Sequence, residues 1–87
     1  MSNALNNKVA IVTGGAAGIG GATARRLAAA GARVLIVDID QEKSTSNATQ
    51  IRDEGGQAIT LIGDVAEEAV AKEMVERAVS EFGRLDI

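Results

Sequence analysis

Three glycines, Gly14, Gly18 and Gly20, and two acids, Asp38 and Asp64, are the residues whose types and spacing could do chemistry. The glycines stand in KVAIVTGGAAGIGG, residues 8–21, in the pattern TG-x-x-x-G-x-G counted from Thr13. The chemistry they suit is holding a pyrophosphate. Backbone N–H groups at the positive end of a helix bind such an anion, and side chains at the contact points would keep it out. Gly14 then makes the tight exit from a strand. Gly18 lets the phosphates approach, and Gly20 lets the helix pack against the sheet. Asp38 follows at close to the ~20-residue separation at which an acid takes the adenosine ribose hydroxyls of a dinucleotide. Its carboxylate would accept hydrogen bonds from the ribose and repel a 2′-phosphate. The other role open to it is to cap the next helix, for which Asp40 is better placed. Asp64, just before Val65, closes a third apolar run. A short acid there serves equally to cap the following helix or to face an adenine amino group.

These residues need elements to hold them. Residues 8–13 (KVAIVT) are rich in β-branched side chains and do not alternate with polar ones, which suits a central parallel strand covered on both faces. Residues 14–21 read as the turn. Residues 22–30 (ATARRLAAA) are strong helix formers, and Gly31 stands where a helix-ending glycine belongs. Ile19, Thr23 and Leu27, with Ala24 and Ala28, fall on the inward face of that helix, and Arg25 and Arg26 point outward. Residues 33–39 (RVLIVDI) form a second strand. Residues 40–54 form a helix with Asp40 as its N-cap and a thin apolar face of Ala48 and Ile51, ended by Gly55 and Gly56. Residues 57–62 (QAITLI) are a third strand and residues 63–65 a strand-to-helix turn. Residues 67–82 show the clearest amphipathic pattern, with Val70, Met74, Val75, Ala78, Val79 and Phe82 at helical spacing and Glu67 and Glu68 at the positive end. Gly83 stops this helix, and residues 84–87 (RLDI) approach a fourth strand. Residues 1–7 read as a short frayed lead-in. Strands alternating with helices specify an α/β fold with a parallel sheet and right-handed crossovers.

Composition removes several function classes. At 87 residues one domain is the upper limit. Phe82 is the only aromatic residue, so no base-stacking platform for single-stranded nucleic acid can be built. The net charge of −3 leaves no electrostatic footprint for duplex DNA. With neither Cys nor His, disulfides and thiol chemistry are out and no metal site is expected. No run of about 18 apolar residues occurs, so no membrane-spanning helix is expected. The opening MSNALNNK lacks the basic and apolar regions of a secretory signal, which makes the cytoplasm the expected compartment.

Taken together, TGGAAGIG at 13–20, Asp38 after the second strand and Asp64-Val65 after the third resemble the N-terminal third of a short-chain dehydrogenase/reductase, and the resemblance runs from residue 8 to residue 87. It implies a Rossmann-type parallel sheet with helices on both faces, of which this chain holds the first three β-α units. It further implies NAD or NADP as hydride carrier, an alcohol or carbonyl small-molecule substrate, and a homotetramer. Gly14, Ala16, Ala17, Gly18 and Ile19 would line the phosphates and the nicotinamide side. Asp38 and Ile39 would hold the adenosine ribose and the adenine edge, and Asp64 and Val65 would flank the adenine. NADP-preferring members often carry a basic residue where this chain has Ala17, so Asp38 and Ala17 together favour NAD.

The departures from the family pattern bear on activity. The Asn-Asn-Ala-Gly stretch expected directly after Ile87 is absent, as are the Tyr-x-x-x-Lys pair and its upstream Ser. The chain has no Tyr, and Lys8, Lys43 and Lys72 match none of that pattern. No residue takes a catalytic role. The 87 residues are therefore expected to be the incomplete N-terminal portion of a single NAD(P)-binding domain, inactive alone. In the strand order 3-2-1-4, residues 8–13 would then expose an apolar edge, a hazard for stray pairing. The alternative is a nucleotide-binding or regulatory module without catalysis.

Overall fold

The computed structural model of the chain describes residues 4–87. Six elements alternate along it: β1 (Val9–Thr13), α1 (Gly18–Ala29), β2 (Arg33–Asp38), α2 (Gln41–Asp53), β3 (Gln57–Ile62) and α3 (Glu68–Phe82). The strands form one parallel sheet in the order β1-β2-β3. Val9 pairs with Arg33 and Thr13 with Val37 across the first ladder, and Arg33 with Gln57 through Asp38 with Ile62 across the second. This is the Rossmann-type arrangement expected, with helices on both faces.

The unalternating apolar runs are explained by two cores. Side chains of successive strand residues point to opposite faces of the sheet. Val34 and Ile36 of β2 join Val12, Ala24, Ala28, Ala48 and Ile51 on the face covered by α1 and α2. Leu35 and Val37 join Val9, Leu61 and Ala78 on the face covered by α3, with Val70, Met74 and Phe82 packed at its margin. A strand between two packed layers needs apolar residues at every position, and all four of these β2 residues are fully buried.

The inward face of α1 agrees with the expected one at Ala24, Ala28 and Leu27 and differs at Ile19 and Thr23. Gly21, Ala24 and Ala28 are buried, whereas Thr23 is exposed and Ile19 is 88% exposed. The face that wins is the one with the smallest side chains. Only small residues let the helix backbone come close to the sheet, so the larger Ile19 is turned away. Arg25 is half-buried and makes a specific contact described below. In α3, Val70, Met74, Ala78 and Phe82 face the core as expected, but Val75 and Val79 remain 42% and 48% exposed.

Both ends of the described stretch are held. Residues 1–3 of the expected lead-in lie outside the described residues. Residues 4–7 form a turn rather than a frayed lead-in. Leu5 packs against the α1–α2 core and donates its N–H to Ala30 O at 2.9 Å, and Lys8 N–H returns to Leu5 O at 2.9 Å. At the other end, residues 84–87 lie along the free edge of β1. Asp86 and Ile87 donate their N–H groups to Val9 O at 2.9 and 3.0 Å, and Ile11 N–H donates to Ile87 O at 2.8 Å. That is the bonding of a parallel neighbour, so RLDI does enter the fourth-strand position. Asp86 pins it: its carboxylate accepts from Val9 N–H at 2.9 Å and from both ends of the Arg84 fork at 2.9 and 2.7 Å. The Arg84 hydrogen bonds, followed by the Val9 amide, hold the Asp86 carboxyl below its ordinary range.

Candidate functional site

In a parallel sheet the carboxyl ends of all strands lie at one edge, and there the three β-α turns meet. Gly14 N–H donates to Val37 O at 2.8 Å and Gly63 N–H to Asp38 O at 3.0 Å, which aligns the exits of β1, β2 and β3 side by side. The ten residues singled out from the sequence, Gly14, Ala16, Ala17, Gly18, Ile19, Gly20, Asp38, Ile39, Asp64 and Val65, all fall in these turns, in the first turn of α1 or, for Asp38, at the last position of β2.

The glycine-rich segment has a different anatomy from the one expected. α1 begins at Gly18, four residues earlier than the helix-forming composition suggests, because its first turn is made of Gly18, Ile19, Gly20 and Gly21. First-turn amides need no intrahelical partner, so weak helix formers are tolerated there. The first intrahelical bond runs from Gly21 N–H to Ala17 O at 3.0 Å. Gly14 and Gly18 have φ of 67° and 62°, a left-handed conformation that side chains resist, while the space beside both is open. Gly20 is constrained by crowding instead. A Cβ there would run into the Gly14 carbonyl, so Gly20 packs on the turn's own backbone rather than on the sheet. The close approach to the sheet belongs to Gly15, where a Cβ would lie 2.8 Å from Val12 O and 3.2 Å from Ile36 Cγ2. The doublet Gly14-Gly15 in the sequence carried that signal.

The N-terminus of α1 is open. Its N-cap is Ala17, which has no side-chain acceptor, and no acid stands in the first turn. The amides of Gly18, Ile19 and Gly20 thus keep their hydrogen-bonding capacity for something outside the helix, at its positive end.

Asp38 stands beside this opening. Ala16 N–H donates to its Oδ2 at 3.2 Å, and Asp40 N–H donates to its Oδ1 at 3.0 Å. Asp38 therefore ties the glycine-rich turn to the β2–α2 turn. It does not cap α2: that cap is Asp40, whose Oδ1 accepts from Lys43 N–H at 2.9 Å. A carboxylate has about four acceptor sites, so two remain for a ligand. Asp64 does not cap α3 either. Its Oδ1 accepts from Ala66 N–H at 2.9 Å and its carbonyl from Glu67 N–H at 2.9 Å, which closes the turn ahead of the helix. Ile19 in the first turn of α1 and Ile39 and Val65 in the two later β-α turns are large apolar side chains left exposed at this same edge. The edge thus offers free amides, a carboxylate and apolar surface together, the mixture that a dinucleotide's phosphates, ribose and rings require.

One buried residue of this region was not legible in the sequence. Asn47 of α2, only 4% exposed, reaches across to the glycine-rich segment. Its Nδ2 donates to Gly15 O at 2.8 Å and to Gly21 O at 3.3 Å, and its Oδ1 accepts from Arg25 Nη1 at 2.9 Å. Its one trace in the sequence is position: it lies next to Ala48 and one helical turn before Ile51, on the inward face of α2.

No helix among the described residues is long and apolar enough to cross a membrane. The sequence profile of the short chain dehydrogenases matches residues 8–87. A cis-4-hydroxycyclohexanecarboxylate dehydrogenase of Sinomonas cyclohexanicum is 44% identical over 87 residues, covering 100% of this chain and 34% of that protein. Among solved structures, a hydroxysteroid dehydrogenase from Escherichia coli superposes with a TM-score of 0.93 at 35% identity, covering 98% of this chain and 36% of that one. A short chain dehydrogenase from Burkholderia cenocepacia J2315, solved in complex with NADP, gives a TM-score of 0.89 at 39% identity, covering 95% of this chain and 34% of that one. The chain thus spans about a third of the length of the relatives it matches.

Proposed function

The chain belongs to the short-chain dehydrogenase family, and we propose on that premise that it forms the NAD-binding portion of an oxidoreductase acting on an alcohol or its carbonyl counterpart. The observation that carries the reading is the uncapped N-terminus of α1 with the Asp38 carboxylate beside it. The residues fit a dinucleotide: a helix start with spare amides suits a pyrophosphate, and an acid with spare acceptor sites suits vicinal ribose hydroxyls. When bound, the nicotinamide supplies the hydride carrier. The chain's own residues bind and orient. The amides of Gly18, Ile19 and Gly20 hold the phosphates over open space left by Gly14 and Gly18. Ala16 and Ala17 keep side chains out of that space. Asp38 accepts from the ribose, and Ile39 and Val65 enclose the adenine, whose amino group meets Asp64. None of these residues moves a proton on the substrate, which assigns the proton-transfer groups to parts of the protein beyond these elements.

Asp38 sets the choice of carrier. A 2′-phosphate would place about two negative charges against its carboxylate, and no basic side chain at Ala17 offsets them. Titration calorimetry of the protein with NAD and NADP tests this. NAD is expected to bind roughly tenfold or more tighter, and Asp38→Ala to narrow that gap by weakening NAD and admitting NADP. Equal affinity for the two carriers before the substitution would remove Asp38 from the role, and no heat with either would remove the site.

A further inference from the structure

We infer that Asn47 and Arg25 form a buried clamp that sets the glycine-rich turn in its anion-holding shape, which makes Asn47 a positioning residue for the dinucleotide site. The inference rests on the proposed site and adds a determinant from a different helix. Asparagine is a poor choice for a helix interior and for a buried position, so its presence at 4% exposure asks for a physical reason. The reason is that each of its polar contacts has a partner. Nδ2 donates to Gly15 O at 2.8 Å and Gly21 O at 3.3 Å, and Oδ1 accepts from Arg25 Nη1 at 2.9 Å. A guanidinium only donates and a carbonyl only accepts, so this environment fixes which way the amide faces.

The two carbonyls bracket the segment that matters. Gly15 precedes Ala16–Gly20, and Gly21 follows it. One side chain therefore holds both ends of the segment at a fixed separation, while α2 supplies the rigid base. Five of the residues from 14 to 21 are glycine, the residue with most conformational freedom to lose. A turn of this composition left to itself would have to be ordered by its ligand, and prior ordering raises affinity. Arg25 completes the device from within α1 itself. Its cation polarises the Asn47 amide in the direction that strengthens donation to the carbonyls. Arg25 thus acts inward, although its position in the sequence suggests an exposed charge.

The experiment compares the protein with Asn47→Asp and Asn47→Leu. Aspartate keeps the volume and the Arg25 partner but removes both N–H donors. Leucine removes all polar contacts while improving helix propensity. Backbone amide exchange is read residue by residue, and NAD affinity is read by calorimetry. In both variants, exchange at the hydrogen-bonded amides of the segment, Ala16 and Gly21, is expected to rise by about tenfold or more while β2 keeps its protection. NAD affinity is expected to fall by about tenfold. Unchanged exchange at the turn in both variants overturns the clamp. Faster exchange throughout β2 as well as the turn also overturns it, because the role is then merely structural. If the unsubstituted protein binds no dinucleotide, the proposed function fails, and exchange at the turn still decides the clamp. If both Asn47 variants fail to fold, Arg25→Met decides: faster exchange confined to the turn supports the clamp, and none overturns it.

Discussion

Two of the three helices that begin at this edge of the sheet are finished in opposite ways. α2 is sealed: Asp40 accepts from Lys43 N–H at 2.9 Å, and Glu42 adds negative charge in the first turn. α1 is left open: its N-cap is Ala17, and no acid follows. A side-chain cap contributes about 1 kcal/mol, so the open end gives up stability that the neighbouring helix keeps. Around the open end the chain spends its unusual residues: two left-handed glycines, two glycines that a Cβ would crowd, a carboxylate and a buried amide. Around the sealed end it spends one aspartate. The proposed site therefore sits at the one of these two helix starts whose side-chain cap is withheld.

The largest expected effect comes from filling the open end. Gly20→Val places a branched side chain where even a Cβ meets the Gly14 carbonyl. Overpacking of this kind destabilises by roughly 1–3 kcal/mol, and the turn must also move, so NAD binding is expected to disappear in calorimetry. Retained binding at wild-type affinity would mean that the turn is not the site. A matched pair of substitutions sharpens the comparison further. Ala17→Asp gives α1 the cap it lacks and is expected to raise stability by about 0.5–2 kcal/mol in urea melts while lowering NAD affinity roughly tenfold. Asp40→Ala unseals α2 and is expected to lower stability by about 1 kcal/mol with NAD affinity unchanged. If Ala17→Asp stabilises without weakening NAD, the α1 amides are not used for phosphate.

The smallest effect concerns another backbone amide held by a carboxylate, Val9 N–H on Asp86. The Arg84 hydrogen bonds and the Val9 amide lower the pKa of Asp86 in the folded chain. A carboxyl depressed on folding stabilises fully above its unfolded pKa, and the contribution is lost as pH falls through the lower folded value. Protection of the Ile87 and Ile11 amides, read against the intrinsic exchange rate at each pH, is therefore expected to fall on acidification below the ordinary carboxylate range, before the β2 amides lose theirs. Asp86→Asn should remove that pH dependence. An Ile87 amide whose protection follows β2 at every pH would show that Asp86 does not anchor the segment.

Much of this was legible because backbone rules act locally. The run QAITLI coincides with β3 residue for residue, and Asp40 caps α2 as its type and place require. The positions of the glycine-rich turn, Asp38 and Asp64 at the three strand exits follow from the alternation of strands and helices. The start of α1 was missed because glycine lowers helix propensity, while first-turn geometry does not depend on it. Its inward face was legible only in part: Ala24, Ala28 and, at the margin, Leu27 do turn inward, but hydrophobic periodicity also weights Ile19, whereas close packing on the sheet selects Gly21. Asn47 could not be found by pattern at all, since its partners lie 26 and 32 positions away along the chain.

The sequence by itself determined the order of elements, the parallel sheet and the place of the glycine-rich turn. These depend on short-range stereochemistry: β-branched runs, capping side chains, and glycine where φ is positive. The tertiary structure decided which amides stay free and what keeps them in position. Whether a carboxylate caps its own helix or braces a neighbouring turn, as Asp38 does through Ala16 N–H, depends on distances between elements. So does the fate of a polar side chain such as Asn47, whose burial is favourable only because Gly15, Gly21 and Arg25 are brought to it.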